Sequence, residues 1–214
     1  MLKPPAKESL MKIRLTNVGK RFNSEWIFRD FSYEFKEGVS YAVTGPNGSG
    51  KSTLLQIIAG ATIFNEGTID YINDTVIPAE EVFKYVSVAA PYLELIEEFT
   101  LLEFLNFHGQ LKSFRKDINI PMIIKTIGLE KAAHKQIRYY SSGMKQRVKL
   151  AQAVFSDVPV VLLDEPNTNL DVDGIDLYQQ LIKHYCKERL VIVSSNDRGE
   201  YDFCEEVIDI GKYK

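Results

Sequence analysis

Gly45-Pro46-Asn47-Gly48-Ser49-Gly50-Lys51-Ser52-Thr53 follows the apolar run Val39 to Val43 and leads into the apolar segment Leu54 to Ala59. Its spacing fits G-x-x-x-x-G-K-[ST], which predicts a strand, a tight turn and a helix in that order. Each residue type suits a bound phosphate. Gly45, Gly48 and Gly50 let successive backbone N–H groups converge on an anion without side chains in the way. Lys51 adds a mobile positive charge, and Ser52 offers a hydroxyl to magnesium. The positive end of the following helix points at the same spot. The plainer reading is a glycine turn; the strand before it and the helix after it favour nucleotide binding.

Outward from this loop, the 214 residues are 45% hydrophobic and 26% charged, enough for one good core and one domain with lobes. A formal net charge of -3 gives no overall basic field for nucleic acid. Cys186 and Cys204 lie far apart without metal-ligand spacing, which reads as reduced thiols of a cytosolic protein and implies no zinc. The start, Met1 to Lys7, has no apolar signal core, and no apolar stretch approaches the ~20 residues that span a bilayer. If the protein works at a membrane, another chain supplies the span. Residues 1 to 10 read as a flexible leader and 11 to 214 as the domain.

Met11 to Val18 and Phe31 to Phe35 alternate apolar and polar residues, as half-exposed antiparallel strands do. Between them, Phe22 is the candidate for a ring that stacks on a nucleotide base. Trp26 is either such a ring or a cap on the small sheet. Gly60 is a plausible helix stop, and Gly67 to Ile72 reads as another strand. Pro91 to Phe107 is densely apolar in a helical pattern, which predicts a helical lobe extending to about Tyr140. Glu94, Glu97 and Glu98 within it read as a solvated face or as a receiver for a basic helix of a partner. His108, His134 and His184 have no spaced partners and read as surface or satisfied core residues.

Ser141 to Val154 and Gly174 to Lys187 have helical spacing. Val158 to Leu163 is nearly unbroken apolar sequence, as for a parallel strand buried on both faces, and it ends in Asp164-Glu165. Carboxylates at that edge stand where open α/β sheets bind ligands. With strands at Leu190 to Val193 and Glu206 to Ile210, the alternation predicts an α/β fold with a mostly parallel core sheet and a small antiparallel β lobe. These features alone leave kinases and GTPases open.

Tyr140-Ser141-Ser142-Gly143-Met144-Lys145-Gln146-Arg147 resembles the signature motif of ABC-type ATPases, usually Leu-Ser-Gly-Gly-Gln followed by basic residues. Pro166-Asn167-Thr168-Asn169-Leu170-Asp171 resembles that family's D-loop. The motifs stand in the family's order and cover nearly the whole chain. The resemblance implies the P-loop NTPase fold of ABC type, with a helical subdomain at about 91 to 140. It further implies that Gly45 to Thr53 wraps the β and γ phosphates of ATP, with Lys51 compensating charge. Ser52 and Asp164 would serve Mg²⁺, and Glu165 would activate the attacking water. Phe22 matches the aromatic that stacks on adenine. Ser141, Ser142 and Gly143 would address the γ-phosphate held by a second subunit, with Asp171 crossing the same interface. The resemblance implies an ATPase that dimerises on ATP, as a homodimer or heterodimer, and drives separate integral membrane permease subunits. It would be peripheral on the inner face of the cell membrane, with export the expected direction.

Three departures from the family pattern bear on rate and coupling. Asn196 stands where a histidine is common; it can still donate to the γ-phosphate, with shorter reach and no cationic form, so slower turnover is expected. The stretch Val86 to Pro91 lacks the family's glutamine. Ser142 and Met144 replace the usual Gly and Gln of the signature, a mild change that keeps the backbone donors. Two other readings stand beside the transport ATPase: a non-transport cytosolic ABC ATPase, and a weakly hydrolytic partner of an active subunit.

Overall fold

The computed structural model describes residues 10–214. The expected leader lies, Leu10 excepted, outside the described residues. β1 (Lys12–Phe22) and β2 (Glu25–Lys36) form an antiparallel hairpin with Phe22 opposite Glu25 at its tip. β1 buries Ile13, Leu15 and Val18 and turns Arg14 and Thr16 outward, the pattern of a strand with one wet face. β3 (Ser40–Thr44) runs into the phosphate loop, and α1 (Lys51–Ile58) leaves it. After Gly60, whose φ of +71° needs no side chain to accommodate it, come β4 (Glu66–Asn73) and β5 (Thr75–Ile77). They complete a four-stranded antiparallel sheet of order β2-β1-β4-β5.

The chain then crosses to β6 (Val86–Ala89), α2 (Leu101–Leu111), α3 (Ile120–Thr126) and α4 (Ser142–Phe155). β7 (Val160–Asp164), α5 (Val172–Tyr185), β8 (Leu190–Ser194), α6 (Arg198–Tyr201) and β9 (Glu206–Asp209) follow. The second sheet has the order β6-β7-β8-β3-β9, and each neighbouring pair is parallel. The architecture expected from the alternation is therefore present.

The unbroken apolar runs of β7 and β8 are explained by two cores, one on each face of the parallel sheet. Val161, Leu163, Val191 and Val193 pack with Leu101, Phe104, Leu105, Ile123, Val148 and Ala151 of the helical side. Val160, Leu162, Leu190 and Ile192 pack with α1 and with Ile13, Phe28, Phe31 and Phe35 of the antiparallel sheet. Adjacent residues of one strand thus serve opposite cores, so both faces are apolar until the carboxyl ends, where Asp164 and Ser194 stand.

One sequence expectation is corrected here. Pro91 to Phe107 is not helical throughout; the helix begins at Leu101, and residues 91–99 are irregular. The cause is local. The hydroxyl of Thr100 accepts from the N–H of Glu103 at 3.2 Å, while the Glu103 carboxylate accepts from the N–H of Thr100 at 2.8 Å, a reciprocal cap that fixes the start. The preceding segment is instead pinned by the bonds Ile137 N–H to Phe99 O and Arg138 N–H to Glu97 O. Among the described residues, no helix is long and apolar enough to cross a membrane.

Candidate functional site

The carboxyl ends of β3, β7 and β8 bring three sequence-distant segments together. Ser194, at the end of β8, is the register partner of both Val43 and Asp164. The phosphate loop and the Asp164-Glu165 pair thus flank one strand, about 10 Å apart at two inter-strand spacings. This edge is where ligands bind in open α/β sheets.

The loop itself is built by glycine geometry. Gly50 sits at φ +99°, and a Cβ there would come within 2.5 Å of Ile27 Cγ2. Gly45, at φ +142°, would place a Cβ 2.8 Å from Ser49 Oγ. Side chains at either position would push the loop off the hairpin or open its curl. Lys51 is buried and folded back, its Nζ donating to the carbonyl of Gly45 at 2.7 Å and of Pro46 at 3.4 Å. Ile27, Asn47, Gly48, Gly50, Lys51, Ser52, Thr53 and Glu165 line a cavity of about 320 Å³. Loop and carboxylate, 111 residues or more apart in sequence, therefore face one space.

Asp164 is buried, and its Oδ1 has no hydrogen-bond partner; the buried hydroxyls of Ser49 and Ser194 likewise lack partners. A buried carboxylate oxygen without a donor is costly unless a cation or its water satisfies it. The residues present therefore fit a divalent cation held by Ser52 and Asp164, with water and triphosphate oxygens completing the hard oxygen set that magnesium prefers. Glu165 differs. It is exposed, and its φ of +42° is a left-handed conformation that is rare without glycine. Its N–H is held by the carbonyl of Ser194 at 2.9 Å, which fixes the turn that swings the carboxylate toward the loop. Such local strain is characteristic of functional positions.

Asn196 is tied to the phosphate loop: its Oδ1 accepts the N–H of Gly45 at 3.1 Å. The amide's NH₂ is thereby left as a donor. Phe22, by contrast, is not among the residues lining the loop cavity. It stands 50% exposed at the hairpin tip, with the Lys20 ammonium 4.6 Å from its ring centre. Trp26 is flanked by the guanidinium groups of Arg29 and Arg21, at 4.6 and 5.5 Å. That contact makes it part of the hairpin surface.

The Ser141 to Gly143 segment lies elsewhere. Ser141, Ser142, Gly143, Met144, Arg147, Asn169 and Asp171 are among the residues lining a separate cavity of about 730 Å³. Ser141 caps α4, its Oγ accepting the N–H of Met144 at 3.2 Å, which leaves its own O–H free to donate. Asp171 caps α5 through the N–H of Gly174 and pairs with Arg147 at 2.9 Å. These two contacts, the Gly174 N–H foremost, hold its carboxyl below the usual range.

Sequence reasoning missed Tyr92. It follows β6, and burial pushes its hydroxyl up; a hydrogen bond from Gln56 opposes this, while the charge of Asp164 adds to it. The charge of Asp164 thus reaches the Tyr92 hydroxyl, in the segment where the family's glutamine is absent. Its position two residues past Ala90 was the available signal. The three glutamates of the helical side are balanced internally: Lys145 meets Glu97 at 2.5 Å, Arg138 meets Glu98 at 3.7 Å, and the charge of Glu94 acts on Lys149. That favours the solvated face over a receiver for a basic helix. His108 is half-buried and hydrogen-bonded to Ser156 at 3.0 Å; His134 and His184 are exposed.

The sequence pattern of the family described as ABC transporter matches residues 28–168. The chain is 30% identical over 212 residues to the uncharacterized ABC transporter ATP-binding protein YhcH of Bacillus subtilis (strain 168), covering 94% of this chain and 68% of that one. It is 28% identical over 208 residues to the putative hemin import ATP-binding protein HrtA of Staphylococcus aureus (strain bovine RF122 / ET3-1), covering 91% and 92%. Among solved structures it is similar to the dimeric post-hydrolysis state of the ATP-binding cassette MJ0796 bound to ADP and Pi. That likeness has a TM-score of 0.79 and 25% identity, and covers 93% of this chain and 95% of that one. A loop built for phosphates, a carboxylate pair at the adjoining strand end and a family match across most of the fold agree: the chain belongs to the ABC transporter family, as an ATP-binding protein.

Proposed function

We propose that this chain hydrolyses ATP at a site completed by a second ATPase subunit, a like copy or a related chain, and drives separate membrane-spanning subunits. The observation that carries this reading is the separation of the two cavities, which share no lining residue. The signature segment does not line the phosphate-loop cavity of its own chain, yet Ser141 and Ser142 are exposed and it presents a helix start. A second copy placed face to face would supply it to the nucleotide.

In this reading Gly45 to Thr53 wraps the β and γ phosphates, and Lys51 gives up its carbonyl contacts to meet them. Magnesium, held by Ser52 and Asp164, would supply charge compensation on the phosphate oxygens. Glu165 orients the attacking water and takes its proton, a role its exposed carboxylate in the loop cavity allows. Asn196 donates to the γ-phosphate, and Phe22 offers its ring face to adenine. Ser141, Ser142 and Gly143 complete the pocket of the other subunit, with Asp171 near the same interface. Loss of the γ-phosphate contacts then opens the pair. The domain spans 11 to 214, with a helical subdomain at about 91 to 140, and works peripherally at the inner face of the cell membrane. Export is the direction proposed from the form of the Ser141 to Arg147 segment; the description of HrtA as a hemin importer names the alternative.

ATPase assay of the purified chain against Glu165→Gln tests the reading. The substitution is expected to lower kcat by about 100-fold or more, the range of a lost general base, with ATP affinity retained. Equal turnover of both proteins would refute the assignment of Glu165.

A further inference from the structure

Two loops leave the catalytic strand ends: Pro166 to Asp171 after Glu165, and Ser195 to Asp197 after β8. They meet on one residue, Glu200. Glu200, only 4% exposed in α6, accepts the backbone N–H of Asn167 on its Oε1 at 2.7 Å. Its own N–H donates to the carbonyl of Asp197 at 3.0 Å. Its carbonyl accepts the hydroxyl of Tyr178, a fully buried residue of α5, at 2.7 Å. Ser195 closes the same turn, its Oγ accepting the N–H of Asp197 at 2.8 Å and donating to the Asp197 carbonyl at 3.4 Å.

A buried carboxylate is retained at a cost unless its hydrogen bonds do something an apolar side chain could not. Here the carboxylate ties the segment after Glu165 to α6, whose first turn is joined to the Asn196 segment by the Glu200 N–H on the Asp197 carbonyl. One neighbour of this link is the residue that bonds the phosphate loop, since Asn196 lies between Ser195 and Asp197. The other, Asn167, begins the run that reaches Asn169 and Asp171 in the signature-side cavity.

We infer that Glu200 is a positioning residue for ATP hydrolysis, holding the Asn196 segment and the Pro166 to Asp171 segment in one register. It touches neither nucleotide nor attacking water. Through Asn167 its carboxylate sets where the Glu165 turn ends, and through its N–H on the Asp197 carbonyl the same residue holds the segment that carries Asn196. The inference rests on the function proposed above and adds how the nucleotide-side and partner-side loops are kept in step.

The test compares the full-length chain with Glu200→Ala, Glu200→Gln and Glu200→Asp, reading kcat, directly measured ATP affinity and Tm. Glu200→Ala is expected to lower kcat by about 10-fold or more, with ATP affinity within about twofold, because a small misplacement penalises the chemical step more than binding. Glu200→Gln keeps an acceptor for the Asn167 N–H and is expected to return kcat to within about threefold of wild type. Glu200→Asp keeps the charge but is one methylene short, so its kcat should fall as in the alanine variant; it also serves if Glu200→Ala does not fold. Unchanged kcat in the alanine or aspartate variant overturns the inference. So does a joint loss of kcat, affinity and Tm that Glu200→Gln fails to rescue. A wild-type chain that does not bind or hydrolyse ATP would instead sink the proposed function, whereas active wild type beside an equally active Glu200→Ala sinks only the role of Glu200.

Discussion

The phosphate-loop edge and the signature edge are built on opposite principles. At the first, Lys51 is folded onto the carbonyl of Gly45, the buried Asp164 Oδ1 and the Ser49 and Ser194 hydroxyls have no partners, and Glu165 sits at a left-handed φ of +42°. At the second, the side chains are already engaged within the chain: Ser141 caps α4, and Asp171 caps α5 while pairing with Arg147. An edge with unsatisfied buried groups is made to take up a ligand. An edge that is exposed and internally satisfied is made to present backbone and hydroxyl donors to something that arrives already assembled. In the function proposed above, the two together make one site when divided between subunits.

This contrast can be broken by substitutions that strike one edge and spare the other. The largest effect on pairing should come from Gly143→Asp, which puts a carboxylate where a γ-phosphate would approach; its Cβ also lands 2.9 Å from the carbonyl of Asn169. ATP-dependent dimerisation, followed by light scattering, is expected to weaken by about 100-fold or more through like-charge repulsion, while ATP binding by the monomer is unchanged. If monomer binding falls equally, the signature edge belongs to its own chain's pocket.

An intermediate effect should come from the nucleotide edge. Asn196→His adds reach and a cationic form, and a charge-assisted bond in place of a neutral one is expected to raise kcat about fivefold, equivalent to ~1 kcal/mol. Steady-state ATPase assay decides it, and a variant no faster than wild type contradicts the reading of Asn196 as a rate-limiting compromise.

The smallest effect on either edge is expected at His108, which lies outside both and where burial lowers the pKa from 6.5 to about 4, with Lys112 adding to the shift. A folded-state pKa below the unfolded one means that the unfolded chain binds the extra proton. Stability from this group is therefore full above pH 6.5 and is lost as pH falls toward 4, by ~3 kcal/mol, with both edges untouched. Denaturant titrations across that window should show a shallower fall for His108→Gln. Parallel curves would contradict it.

The phosphate loop, the Asp164-Glu165 strand end and the parallel sheet were legible because each depends on a local pattern: glycine spacing, unbroken apolar runs, and strands alternating with helices. The start of α2 was legible too, since Thr100 and Glu103 have capping-box spacing, but the apolar density of Pro91 to Phe107 masked it. The links that organise the site were not legible. Asn167 to Glu200 joins residues 33 apart, and Gly45 to Asn196 joins residues 151 apart. Both rest on tertiary placement that no spacing rule encodes. Tyr92 was hidden because its importance lies in proximity to Asp164 and Gln56, not in its neighbours along the chain. Phe22 was legible by its place before the phosphate loop; the structure sets it exposed at the hairpin tip beside Lys20, and its stacking on adenine belongs to the proposed function.

The division of one site between two subunits is tested most directly by sedimentation of the Glu165→Gln chain with and without ATP. We expect a monomer without nucleotide and a dimer with ATP but not with ADP, the dimer being abolished by the added Gly143→Asp substitution. A Glu165→Gln chain that binds ATP yet stays monomeric at every concentration, including with a related ATPase subunit and its membrane partner present, would contradict it.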